Sequence, residues 1–169
     1  MLKRIRTKIG DVFSVLISEN EKKYFQLISF DLIQLNSDVI RAFKKVYAID
    51  ESPSLSEIVC GEVEFYAHCV TKWGVQLQLW EKAGNIQDVG DINHIIFRDT
   101  EDYGVKLGEE PIKVSHRWYI WHIGDDDFKD VGKLCGENRK AEIGMVMSPY
   151  NIVDRIKTGK YHLPYPDFE

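Results

Sequence analysis

Cysteine is scarce and unevenly counted: Cys60, Cys69 and Cys135 are the three in a chain of 169 residues. An odd count in a chain this long argues against a disulfide scaffold and predicts a reducing, cytoplasmic setting. Long hydrophobic runs are absent, none approaching the roughly 20 apolar residues that span a bilayer. The basic cluster Lys3, Arg4, Arg6 and Lys8 has no apolar segment behind it, so it does not read as a secretory signal. Residues 1–8 read instead as a flexible leader. Positive charge is also in deficit, with 22 basic against 27 acidic residues and a net charge of −5. That argues against non-specific binding to nucleic acid or an anionic membrane, both of which need a cationic surface.

Catalytic signatures are missing too. The glycines form neither a P-loop nor a dinucleotide fingerprint, and no Gly-x-Ser-x-Gly elbow occurs. Metal-ligand spacings fail one by one. His116 and His122 share a strand face but stand roughly 20 Å apart at about 3.3 Å per residue. His68 and Cys69 point in different directions, and Asp125, Asp126, Asp127 and Asp130 lack the ligand alternation of a calcium loop. No metal and no cofactor is expected. A cysteine could still meet His68, His94 or His122 in space as nucleophile and base, although a buried, unreactive thiol is the commoner state.

What is present is an ordinary globular composition, 44% hydrophobic and 29% charged, with 12% aromatic residues. No repeat, low-complexity tract or linker appears, so residues 1–169 read as one domain. Residues 9–17 and 23–31 alternate as two strands around the polar turn Ser18–Lys22, with Phe13, Val15 and Ile17 on the apolar face. Residues 38–49 can be read as a helix capped by Asn36 or Ser37, but their β-branched and aromatic content favours a third strand. Ser54 and Glu57 form a capping box, and Leu55, Ile58, Val59, Val63, Tyr66, Ala67, Val70 and Trp73 recur at helical spacing. The spacing predicts a long helix over 55–73 closed by Gly74, with Gly61 inside it at a cost of about 1 kcal/mol relative to Ala. Strands follow at 94–98, 112–123 and 141–147, then a helix from Ser148 and Pro149 to Gly159. The order predicts an α+β fold: a curved, mostly antiparallel, barrel-like sheet with one long central helix and one C-terminal helix.

The segment 112–123 is the most aromatic. His116, Trp118, Ile120 and His122 make one strand face, and Arg117, Tyr119, Trp121 and Ile123 the other. Either both faces are core, or one presents Tyr and Trp to a partner, the composition of binding hot spots. Acidic clusters recur in the loops, the strongest being Asp125, Asp126 and Asp127. Such a surface is soluble, and it also speeds encounter with a basic partner. The partner-binding candidates are therefore Asp125, Asp126, Asp127, Trp118 and Trp121.

The stretch Lys8-Ile9-Gly10-Asp11-Val12-Phe13-Ser14-Val15, with Lys23-Tyr24-Phe25-Gln26-Leu27-Ile28 after the turn, resembles the immunity-protein family of type twenty-six. The likeness covers about the first third of the chain; later segments, Gln34–Ile40 among them, resemble a related bacterial family. The resemblance implies a cytoplasmic, non-enzymatic, β-rich protein that inhibits a toxin domain, often a nuclease, by occlusion. The partner expected is a basic protein domain. Two other readings stay open: a small-molecule or carbohydrate-binding module with an aromatic pocket, and an enzyme using a Cys–His or Asp–His pair.

Overall fold

A computed structural model describes residues 4–169. Residues 1–3 of the expected leader lie outside that range, whereas Thr7 and Lys8 are tied in: the Lys8 N–H donates to Asp11 and the Thr7 hydroxyl accepts from Thr71.

The amino-terminal hairpin forms as the alternation requires. Strand β1 (Asp11–Leu16) pairs antiparallel with β2 (Glu21–Asp31), placing Phe13 opposite Phe25, their rings stacked 5.1 Å apart. Residues 38–49 are extended rather than helical, as β3 (Ser37–Phe43) and the short β4 (Tyr47–Ala48).

The long helix does not exist. Ser54 does cap a helix, its Oγ accepting from Glu57 N at 3.1 Å, but α1 runs only from Leu55 to Val59. The reciprocal half of the capping box is missing because the Glu57 carboxylate goes to Lys45 at 2.7 Å. Gly61 then bends the chain into β5 (Val63–Cys69), and a second short helix, α2, spans Thr71–Gln76. The apolar residues of 63–69 satisfy a helical period by coincidence, because β5 is buried on both faces and its polar–apolar alternation is blurred. Gly74 is no carboxyl cap. It sits inside α2, where a Cβ would lie 2.0 Å from the Trp80 ring.

Strands β6 (Glu81–Asn85), β7 (Ile96–Thr100), β8 (Trp118–His122) and β9 (Lys129–Gly132) come next, then a 3₁₀ turn at Gly136–Lys140. The segment expected as one strand at 141–147 is two, β10 (Glu142–Ile143) and β11 (Val146–Met147). Between them Gly144 lies where a Cβ would meet the Trp121 ring at 2.0 Å. That close approach lets the chain pass from one sheet to the other. Helix α3 (Pro149–Thr158) has the expected ends: Ser148 Oγ accepts from Asn151 N, and Gly159 closes it at φ +84°.

The sheet is not a barrel. Two open, mostly antiparallel sheets form: a seven-stranded one ordered β11-β5-β3-β2-β1-β6 with β4 beside β2, and a four-stranded one ordered β10-β7-β8-β9. On one face of the larger sheet Phe13, Phe25, Leu27, Ile40, Phe65 and Ala67 pack under Trp80 and under Ile152 and Ile156 of α3. Burial of each of the Phe, Leu and Ile side chains contributes about 1.5–3 kcal/mol. The opposite face is covered by α1 over Val12, Tyr24 and Phe43, and by the smaller sheet over Ile28 and Val39. Between these coverings, Arg41 Nε donates to Gln26 Oε1 at 2.9 Å, and both side chains hold the Asp88 carbonyl.

A single irregularity in β2 decides which way Asp31 faces. The β2–β3 register shifts between Leu27 and Ser29. A bulge of one residue turns the rest of the strand over. Asp31, which would otherwise share a face with Phe25 and Leu27, is paired with Ser37 on the face that carries Val39 and His68.

Candidate functional site

The alternation in β8 separates its side chains as the sequence predicts: Trp118 and Ile120 enter one apolar cluster, Tyr119 and Trp121 another. Both tryptophans are 1% exposed. Trp118 Nε1 donates to the Ser115 carbonyl at 2.8 Å, and Trp121 packs on Phe97 and His68. These two indoles build core on both sides of the sheet and offer no contact area. An aromatic side chain that does reach the surface beside β8 is Phe128, 48% exposed. Its ring is held 4.7 Å from Tyr119 and 5.0 Å from Trp121.

The acidic turn divides in two. Asp125 is structural: its Oδ2 accepts from His122 N at 2.8 Å, and its carbonyl accepts from Gln34 Nε2 at 2.9 Å. Asp126 and Asp127 are exposed and have no cationic partner among the described residues. Gln34 belongs to the β2–β3 turn, so this bond joins the two turns. That second turn carries Leu32 and Ile33, 71% and 54% exposed. It is strained, with Leu35 at φ +46° and Asn36 at φ +44°. A bulky residue in the left-handed region costs on the order of 1–3 kcal/mol and persists only where its surroundings enforce it. Here they do so through Gln34 N, which donates to Asp31 Oδ1 at 3.2 Å, and through Leu35 packing beneath.

Under the joined turns lies a buried polar cluster. Asp31 is fully buried, and burial raises its carboxyl pKa above the ordinary value while N–H groups of Gln34 and Gly124 pull it back. His68 is fully buried as well, its pKa pushed down to about 4 by burial, so the imidazole is neutral at pH 7. Its Nδ1 bonds with Ser37 Oγ at 2.9 Å, and its ring lies 4.2 Å from Phe97. His68 Nε2 stands 3.8 Å from Asp31 Oδ2, too far for a hydrogen bond. Those two atoms and Trp121 Nε1 are all buried without a hydrogen-bond partner.

Sequence reasoning missed Leu32, Ile33 and Phe128. Leu32 and Ile33 follow directly on the strand expected at 23–31, and nothing in the sequence marks them as exposed. The available signal for Phe128 was a single aromatic residue set among Asp125, Asp126, Asp127 and Asp130. The expectation of core cysteines holds for Cys69, whose thiol burial pushes well up, but Cys60 and Cys135 are exposed. Among the described residues no three of His, Cys, Asp and Glu converge as metal ligands, and no helix is long and apolar enough to cross a membrane. An Asp–His pair does occur, His162 Nδ1 to Asp154 Oδ2 at 2.6 Å, on the exposed side of α3. Separately, a groove of about 380 Å³ is lined by Tyr103, Tyr165 and three prolines beside the irregular segment 101–117.

Comparison with protein-family models, with curated proteins and with solved structures finds no match to this chain. Any functional reading therefore rests on the residues and their arrangement.

Proposed function

We propose that this protein is a non-catalytic binding module of the immunity type, which inhibits a basic toxin domain in the bacterial cytoplasm by covering its active site. The observation that carries the reading is the pair of joined turns. The two turns, joined by the Gln34–Asp125 bond, carry three large exposed apolar side chains, Leu32, Ile33 and Phe128, and the unpaired carboxylates of Asp126 and Asp127. Exposed apolar clusters rimmed by charge mark protein contact sites. An aromatic anchor held by its neighbours loses little entropy on binding, and free carboxylates steer a basic partner. The overall charge of −5 acts in the same direction.

The test is titration calorimetry of the purified chain with the toxin domain encoded beside it, at low and high salt. A stoichiometric complex is expected, weakened by salt, and weakened further by Phe128→Ala and Ile33→Asp. A complex of unchanged affinity in both variants would place the interface elsewhere; no complex would remove the reading.

The Tyr103–Tyr165 groove supports a second reading, a small-molecule or carbohydrate-binding module, because its rings lie 5.2 Å apart over a cavity of ligand size. Saturable sugar binding lost in Tyr103→Ala, with no protein complex, would select it over the first.

A further inference from the structure

A second cavity, of about 320 Å³, opens where β7, the 3₁₀ turn, β10 and the carboxyl end of α3 meet. Its walls carry Arg98, Arg139, Lys140, Arg155 and Lys160 against the single carboxylate of Glu142. In a chain with net charge −5, that convergence is not a by-product of composition.

The neutralising partners can be assigned one at a time. Arg155 grips Glu142 with both terminal nitrogens, at 2.8 and 3.2 Å. Lys140 pairs with Glu137 at 2.8 Å, and Arg139 with Glu169. Arg98 and Lys160 have no carboxylate within reach among the described residues. Arg98 is held by aromatic faces instead, its guanidinium carbon 5.3 Å from the Trp118 ring and 4.9 Å from the Phe168 ring, while one terminal nitrogen donates to the Ala141 carbonyl. Its Nε is buried and has no acceptor, and neither has the buried hydroxyl of Tyr161, which also lines the cavity. Two buried donors without acceptors and a largely buried guanidinium without a counter-ion are features that burial alone disfavours, and the exposed Lys160 adds an unpaired charge at the rim. The half-charge of the α3 carboxyl end opposes an anion here, but it is small against the lining cations.

We propose that this cavity binds a phosphate-bearing small molecule. A tetrahedral dianion brings two charges and oxygens spread in three dimensions to the Arg98 and Arg139 guanidiniums and the Lys160 ammonium, whereas a carboxylate brings one charge and two coplanar oxygens. The volume, at the lower end for ligand sites, admits a phosphate and one small attached group. The bound anion links the smaller sheet, the 3₁₀ turn and α3. This site shares no residue with the partner surface proposed above, so either can fail without the other.

Titration calorimetry on the full chain at constant ionic strength, with inorganic phosphate, pyrophosphate and glucose 6-phosphate in turn, tests it. Saturable binding of at least one is expected, with the ranking separating a free inorganic anion from a phosphomonoester. Lys160→Glu, an exposed position without a partner, is expected to weaken binding about tenfold or more. Arg98→Gln is expected to abolish it, and Arg139→Gln serves if that variant does not fold. Absence of binding for all three ligands, or full affinity in Lys160→Glu, overturns the proposal.

Discussion

In the seven-stranded sheet the polar side chains buried away from the smaller sheet answer one another, as Arg41 and Gln26 do around the Asp88 carbonyl, whereas Asp31 Oδ2 and His68 Nε2, where the two sheets meet, do not. In the four-stranded sheet Arg98 Nε and Trp121 Nε1 are buried without partners, and apolar side chains such as Phe128 and Leu107 stand in solvent along its connections. A satisfied interior contributes stability and little else. Unsatisfied groups and exposed apolar surface lower stability, and they are where a ligand or a partner can supply what is missing. The body of the larger sheet should therefore govern folding, and the smaller sheet, with the β2–β3 turn bonded to it, recognition.

The sharpest way to break that contrast is Phe25→Ala in the larger sheet. Phe25 is fully buried between Phe13 and Trp80. A loss of about 3–5 kcal/mol is expected in urea unfolding; a loss below about 1 kcal/mol would show the sheet is not the stabilising layer. Gly144→Ala comes next, at about 1–3 kcal/mol, because the added Cβ must displace the Trp121 ring where the chain changes sheets.

Acid should act through the interface between the sheets. His68 titrates near 4 when folded and near 6.5 when unfolded. Between those values the unfolded chain binds more protons, so stability falls as pH drops through that window and is unaffected by His68 above it. The expected loss from pH 7 to pH 5 is about 2 kcal/mol. Asp31 works in the opposite sense: its raised pKa means that protonation near and below that value favours the fold, offsetting part of the loss at lower pH. His68→Gln should flatten the dependence between pH 7 and 5, and an unchanged slope would assign it to other groups. The smallest effect on stability is expected from Phe128→Ala, about 0.5 kcal/mol or less by thermal melting, although the same change should weaken the proposed partner complex. A large stability loss there would mean that Phe128 is core and not contact surface.

Much of the local structure is legible in the sequence because it depends on neighbours in the chain. The first hairpin comes from period-two patterning, and α3 from Ser148, Pro149 and Gly159 at its ends. The two faces of β8 come from the same alternation. Residues 55–73 mislead because capping at Ser54 is local, whereas continuation past Val59 depends on β3 and β11 offering hydrogen bonds to 63–69. No periodicity reports that offer when both strand faces are apolar.

The candidate site is legible only as composition. Acidity and aromaticity near 118–128 can be seen, but which aromatic ring meets solvent depends on what packs above it, and that assigns Trp118 and Trp121 to the interior and Phe128 to the surface. The joining of the turn that carries Leu32 and Ile33 to the turn that carries Asp126 and Asp127 is invisible in the sequence, since it depends on a bond between residues 34 and 125. Short-range patterning in this chain was enough to specify strands, helix ends and which side chains share a face, because those depend on backbone geometry within a few residues. The split into two sheets, the burial of Asp31 with His68, and the convergence of Arg98, Arg139 and Lys160 came from long-range packing, where segments far apart in the chain choose one another by shape and by the hydrogen bonds they leave unmade.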